Sequence, residues 1–266
     1  MKLENAFVVL TGASGGIGLC LAQQLITRYH CRVLGIARGA EKLQRAAERL
    51  GENFTPFVGD VGRKETWESL FATLQGQRVD LLIHCAGVMP PFQRADTQPS
   101  ALTESVLQTN FLSGVYAIET LLTLLSEGGG IVEIASAAAV THLAGTSAYA
   151  ASKAASLAYF NALREESRGK RQVTVICPGF VKTDLFRDHQ GLDASRRLLD
   201  LIAASPEKTA KRILRKVRQG RGFAVMGFDG HLMSLLSRLC PTAALRLCRR
   251  VMQVSHLPLF ADIFAE

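Results

Sequence analysis

Seven short apolar runs, each followed by a stretch with helical spacing, set what this chain can fold into. The runs are Ala6–Leu10, Arg32–Ala37, Phe54–Val58, Asp80–His84, Gly130–Ala135, Gln172–Cys177 and Gly222–Met226. Most are continuously apolar and do not alternate with polar residues. That is the mark of strands buried on both faces, as in parallel sheets. Helical patterns lie between them, near 16–29, 40–50, 63–75, 99–125, 149–168 and 206–219. Strand–helix alternation of this kind predicts right-handed crossovers and an α/β fold with a doubly wound parallel sheet of about seven strands. In such a sheet the loops after the strands hold the ligands. With 266 residues, 48% of them hydrophobic and 20% charged, the chain has material for a large core and is far from a disordered composition. No linker, repeat or low-complexity tract divides it, so a single domain over residues 1–266 is expected.

Charge and cysteine narrow the setting. From Pro206 to Arg250 there are eleven Lys or Arg against Glu207 and Asp229, while the whole chain carries +8. The rest is therefore near neutral, and the basic third points to an anionic partner or to a solvated face. No helix-turn-helix, zinc or RNP pattern supports a nucleic-acid binder. The cysteines Cys20, Cys31, Cys85, Cys177, Cys240 and Cys248 form no C-x-x-C pair, so small buried residues in a reducing compartment are expected, with no metal site. The start of the chain lacks a signal-peptide pattern, and the longest uncharged run, 134–152, is broken by polar residues. A cytoplasmic protein is the expectation.

The first run enters Thr11-Gly12-Ala13-Ser14-Gly15-Gly16-Ile17-Gly18, with a helix beginning near Gly16. Glycine lets the backbone turn tightly and lets a pyrophosphate approach it. The helix start then offers free N–H groups and a positive dipole end to that anion. The second run ends Ala37-Arg38. An NAD-selecting site places a carboxylate here for the ribose 2′-hydroxyl, whereas a guanidinium suits the 2′-phosphate of NADP. Arg38 thus points to NADP(H), with Ser14 as an added hydrogen-bonding group and Lys42 as a secondary helper.

Tyr149 and Lys153 stand four apart and share one helix face. A free phenol titrates near ~10. A neighbouring ammonium stabilises the phenolate, which suits a proton shuttle. Ser136 follows the fifth run, where its hydroxyl is placed to bond a substrate oxygen or to cap a turn. Asn110 falls inside the long helical stretch after residue 99, where it is either a surface residue or an anchor for a proton-relay water. Pro178-Gly179 opens the loop after the sixth run. The segment 184–205 reads as a substrate lid, and its Leu185, Phe186, Leu192, Leu198 and Leu199 suit either an apolar ligand or packing.

Together these elements resemble the short-chain dehydrogenase/reductase family over residues 5–227. The glycine turn has that family's wider T-G-x-x-x-G-x-G spacing. Asp60-Val61 is similar to its adenine contact. His84-Cys85-Ala86-Gly87 stands where the family has N-N-A-G and keeps the Ala-Gly pair that lets the cofactor pass. The two lost asparagines imply altered hydrogen bonding at this strand end. Pro178-Gly179-Phe180-Val181-Lys182-Thr183 matches P-G-x-V-x-T, in which Val181 and Thr183 would hold the nicotinamide carboxamide. The resemblance implies a Rossmann-type fold and assigns catalysis to Asn110, Ser136, Tyr149 and Lys153. Ser136 and Tyr149 would hold the carbonyl oxygen, Lys153 the ribose and Asn110 a relay water. Gly12, Ser14, Gly16, Ile17, Gly18, Arg38, Asp60, Val61, Ala86, Gly87, Tyr149, Lys153, Pro178, Gly179, Val181 and Thr183 would contact the cofactor.

The function so implied is interconversion of a carbonyl and an alcohol with NADP(H), on a small and apolar substrate. The alternative is a non-catalytic NADP(H)-binding regulator on the same fold. A homodimer through the helices near 99–125 and 149–168 is implied by the resemblance. The C-terminal extension, 230–266, departs from the family. Between His231 and Ser255 it interleaves leucines with Arg238, Arg246, Arg249 and Arg250, without an acid, and Pro241 should split it into two helices too short to span a bilayer. It reads either as a membrane-surface element or as a terminal helix pair packed on the domain or on a second copy.

Overall fold

The computed structural model describes residues 1–141, 143–186, 203–255 and 257–264. The strands are β1 (Phe7–Thr11), β2 (Arg32–Ala37), β3 (Phe54–Val58), β4 (Val79–His84), β5 (Leu125–Ile134), β6 (Gln172–Pro178) and β7 (Phe223–Met226). They form one parallel sheet in the order β3-β2-β1-β4-β5-β6-β7. Chain direction across the sheet reverses between β1 and β4, which opens the crevice where such folds bind ligands.

Alternate residues of each strand enter different cores. Val8 and Leu10 pack with Leu21 and Leu25 of α1 (Gly16–Tyr29), Leu43 of α2 (Ala40–Leu50) and Ile213 of a later helix. Phe7 and Val9 pack on the opposite face with Trp67 and Leu70 of α3 (Lys64–Leu74) and with Phe160. Both faces are covered, so the strands read as unbroken apolar runs.

Two expectations need correction. The predicted helix over 99–125 is three pieces: α4 (Ser100–Leu107), a π-helical turn (Gln108–Leu112) and α5 (Ser113–Leu121). Two side chains pin the wide turn. Gln108 Nε2 donates to the Gly62 carbonyl at 2.6 Å, and Asn110 is drawn inward. The fifth strand starts at Leu125, earlier than the predicted Gly130. Its pairing with β4 shifts register between Val79 and Leu81, which accommodates the glycines at 128–130.

Among the described residues the remaining α-helices are α6 (Ala138–Thr141), α7 (Ser147–Glu166), α8 (Pro206–Arg218), α9 (Phe228–Leu239), α10 (Pro241–Val254) and α11 (Ala261–Phe264). Pro241 does split the extension, standing at the first turn of α10, where a missing N–H is tolerated. All six cysteines are free, but only Cys31 and Cys177 are buried; Cys240 is exposed and the others are half-buried.

Candidate active site at the strand ends

A cavity of about 720 Å³ runs over the carboxyl ends of the strands. At one end the chain leaves β1 through Gly12, whose φ is +69°, and a Cβ there would lie 3.0 Å from the Ala86 backbone. A side chain at Gly18 would collide with the Gly12 carbonyl, so glycine is required at both positions. Helix α1 begins behind this turn with Gly15 as its N-cap, no side-chain cap and no acid in its first turn. Its first N–H groups therefore face the cavity without a competing side chain, a ready anion cradle.

Ala37 and Arg38 line the same cavity beyond β2. The nearby Glu41 carboxylate is held by Arg45 at 2.7 Å, and Lys42 lies 3.5 Å from Asp184. Arg38 and Lys42 border this end, and its lining acids Glu41 and Asp184 are each paired with a cation, which favours a phosphate.

At the other end, Ser136 follows β5 and Tyr149 and Lys153 project from α7, all lining the cavity. Tyr149 is 7% exposed and Lys153 3%. The Lys153 ammonium donates to the Ile134 carbonyl at 2.8 Å, and Ser136 Oγ accepts from the Ala138 N–H at 3.1 Å. A Cβ at Gly87 would lie 3.6 Å from Lys153 Nζ, so the Ala-Gly loop passes in contact range of the ammonium. Cys85 also lines the cavity, but burial pushes its thiol up to about 12, which keeps it a protonated, non-nucleophilic neighbour.

The cofactor candidates Gly12, Ser14, Gly16, Ile17, Gly18, Val61, Ala86, Gly87, Pro178, Gly179, Val181 and Thr183 all border the cavity. Two predicted residues do not line it. Asp60 turns its Oδ1 to the Gly62 N–H at 3.0 Å and shapes the loop that carries Val61. Asn110 is fully buried beneath the site: Oδ1 accepts from Val88 N–H at 2.8 Å, and Nδ2 donates to the Val88 carbonyl at 2.9 Å and to Ser152 Oγ at 3.0 Å. Its amide is thus a strut between the loop after β4 and α7. Leu185 lines the cavity, whereas Leu192, Leu198 and Leu199 lie outside the described residues.

Asp229 was not foreseen. Its Oδ2 accepts from the Phe180 N–H at 2.7 Å, and a side chain at Gly179 would collide with this carboxylate. It clamps the loop after β6 from α9, and an acid soon after the last strand is the signal that could have flagged it. Val88, Met89, Phe92, Leu143, Phe180 and Met233 make the neighbouring part of the cavity apolar. The chain's end closes its rim: Met252 of α10 and Ile263 of α11 pack on Phe92, whose ring meets Phe260 edge-on at 5.2 Å.

Residues 6–191 match the short chain dehydrogenase family. An 11-beta-hydroxysteroid dehydrogenase 1A of Arabidopsis thaliana is 32% identical over 191 residues, 69% of this chain and 54% of that protein. A 3-oxoacyl-(acyl-carrier-protein) reductase of Homo sapiens is 32% identical over 182 residues, 66% of this chain and 76% of that protein. This chain therefore spans only about half the length of the Arabidopsis relative. Among solved structures, a short chain dehydrogenase from Burkholderia cenocepacia in complex with NADP superposes with a TM-score of 0.77 at 20% identity, covering 94% of this chain and 99% of that one. A serine dehydrogenase complexed with NADP⁺ superposes with a TM-score of 0.75 at 25% identity, covering 83% and 94%. With the family match extending over more than half its length, the chain belongs to the short-chain dehydrogenase family.

Proposed function

We propose that this chain is an NADP(H)-dependent oxidoreductase that interconverts a carbonyl and an alcohol on a lipophilic substrate, with Tyr149 as general acid and base. One observation carries the reading: the glycine cradle, Arg38, Ser136, Tyr149 and Lys153 border a single cavity. The N–H groups at Gly16–Gly18 would hold the pyrophosphate, Arg38 the 2′-phosphate, and Val181 and Thr183 the carboxamide. When bound, the cofactor gives or takes a hydride. In the reductive direction the Tyr149 hydroxyl gives its proton to the substrate oxygen, which Ser136 steadies by a hydrogen bond. Lys153 stabilises the phenolate left behind. Relatives named for hydroxysteroid and 3-oxoacyl chemistry, and a neighbour solved with NADP⁺, support this class.

The test is NADPH oxidation, followed at the nicotinamide absorbance, across a panel of lipophilic and small ketones and aldehydes. Turnover should favour lipophilic members. If no member of the panel, and no corresponding alcohol with NADP⁺, is turned over, the regulator reading takes its place.

The lipophilic preference has a second support. Helix α8 packs Ile213, Leu214 and Val217 inward and turns its basic residues to water. Helix α9 does the reverse. Phe228, Leu232, Leu235 and Leu239, spaced as one stripe, face solvent, with Phe228 85% and Leu239 69% exposed. Gly230 and Ser234 face the domain, and Met233 reaches the cavity. On α10, Leu247, Val251 and Val254 are exposed beside Arg246, Arg249 and Arg250, and no acid occurs from 230 to 261. Among the described residues no helix is long and apolar enough to cross a membrane. Exposed leucines with arginines suit the surface of an anionic bilayer, with the cavity opening beside it.

Purified protein should float with anionic liposomes and not with neutral ones. The exposed triple change Phe228→Ser, Leu235→Ser, Leu239→Ser should abolish flotation and leave the fold intact. Absence of flotation at low salt, with a dimer in size-exclusion that the triple change dissolves, would instead make this face a contact between two copies. A dimer that survives the triple change is the one proposed through α4–α5 and α7.

A further inference from the structure

Directly beneath the candidate site lies a fully buried pair of ionisable groups that the proposed chemistry does not use. His84, the last residue of β4, sits opposite Glu133 of β5 in register. Its Nδ1 is 2.6 Å from Glu133 Oε2, and its Nε2 is 2.6 Å from Ser113 Oγ. Ser113 Oγ donates to the Thr109 carbonyl at 2.6 Å, and Ser156 Oγ donates to Glu133 Oε1 at 2.6 Å. The ring has been given room. A Cβ at Gly114 would lie 3.0 Å from Phe160 and 3.3 Å from His84 Nδ1.

The hydrogen bonds fix where the protons are. The Ser113 hydroxyl proton is engaged by Thr109, so Ser113 Oγ can only accept from His84, and Nε2 carries a hydrogen. The Nδ1–Oε2 contact then needs one proton between its atoms. Burial pushes the Glu133 carboxyl up, but the His84 ring, Lys153 and the Ser156 hydroxyl outweigh it and hold it below the usual carboxylate range. The single proton in that contact makes the pair neutral as a unit.

Each member of the network stands three residues from a site residue: Ser113 from Asn110, Glu133 from Ser136, Ser156 from Lys153 and His84 from Gly87. Four separate elements are thereby tied to one charge pair. We propose that His84–Glu133 is a positioning unit, which fixes the π turn bearing Asn110 and the helix bearing Tyr149 and Lys153 to the strand ends. The proposal rests on the reading of Tyr149 and Lys153 as the reacting pair. A buried ion pair is a weak source of stability against an apolar replacement, but it specifies geometry, and removal of one charge leaves the other unpaired.

Glu133→Gln keeps the shape and removes the charge. In the folded, NADPH-saturated variant kcat should fall about 10- to 100-fold, the scale of a small misplacement of reacting groups, while NADPH affinity is kept. Ser113→Ala cuts only the link to the π turn and should lower kcat in the same direction. Ser113→Thr should restore it, because a helical threonine can reach the same carbonyl. Parental kcat in folded Glu133→Gln overturns the proposal. If that variant does not fold, parental kcat in Ser113→Ala overturns it, as does a loss in Ser113→Ala that Ser113→Thr does not repair. A readout independent of turnover is nitrogen NMR of histidine-labelled parent protein. His84 Nε2 should carry a hydrogen, donated to Ser113, and a ring with its hydrogen on Nδ1 alone overturns the assignment even if the enzyme's substrate is never found.

Discussion

Replacing Tyr149 by phenylalanine should lower turnover by at least ~10²-fold while NADPH binding stays nearly unchanged. The ring is 7% exposed and packs between α7 and the cavity, so the variant keeps the buried surface and removes one oxygen. No other phenol lines the cavity. Lys153 would remain tied to the Ile134 carbonyl, so the cofactor's ribose would still meet its ammonium. The loss should therefore appear in kcat with the KM for NADPH preserved. This variant also separates the enzyme from the regulator, since a regulator keeps its effect without the hydroxyl. Near-normal turnover in Tyr149→Phe would refute the assignment.

Arg38 decides the second large effect. The parent should bind NADPH more tightly than NADH by about 1–3 kcal/mol, the range for hydrogen bonds to a charged group. That margin is roughly 5- to 150-fold in affinity. Arg38→Asp should erase or invert it. The new carboxylate repels the 2′-phosphate and accepts from a ribose 2′-hydroxyl. Arg38 is exposed at the cavity edge while Ala37 behind it is buried, so the change touches the cofactor's end without disturbing the core. Equal affinity of the parent for the two cofactors, measured by fluorescence titration, would end the argument for 2′-phosphate recognition.

The layers of the fold were legible in the sequence because strands buried on both faces cannot hide. Arg32–Ala37 appears with the bounds that its apolar run suggested. The glycine turn was legible for a similar reason, since Gly12 and Gly18 have no room for a side chain. The π turn was not. Residues 99–125 keep a helical period through it, and the one-residue widening is set by tertiary bonds from Gln108 and Asn110 that no local pattern records. The His84–Glu133 pair was half visible. A glutamate inside an apolar strand must find a partner, but which one depends on the parallel register of two strands 49 residues apart. The exposed stripe of α9 was seen only as a mixture of leucine and arginine, because sequence spacing does not say which face of a helix meets the domain.

The strand order has a consequence for how such a protein can diversify. Everything that would distinguish one cofactor from another follows β1 and β2, within the first 42 residues, while the reacting groups follow β5. Between β2 and β5 lie three inter-strand steps, about 14 Å at the usual spacing of neighbouring strands. The two sets share no described hydrogen bond, so each can be rewritten with the other left in place. Coenzyme preference in this architecture is a detachable trait: an exchange of the β2 edge would redirect the chain to a different cellular pool of reducing power while its chemistry stayed as it was.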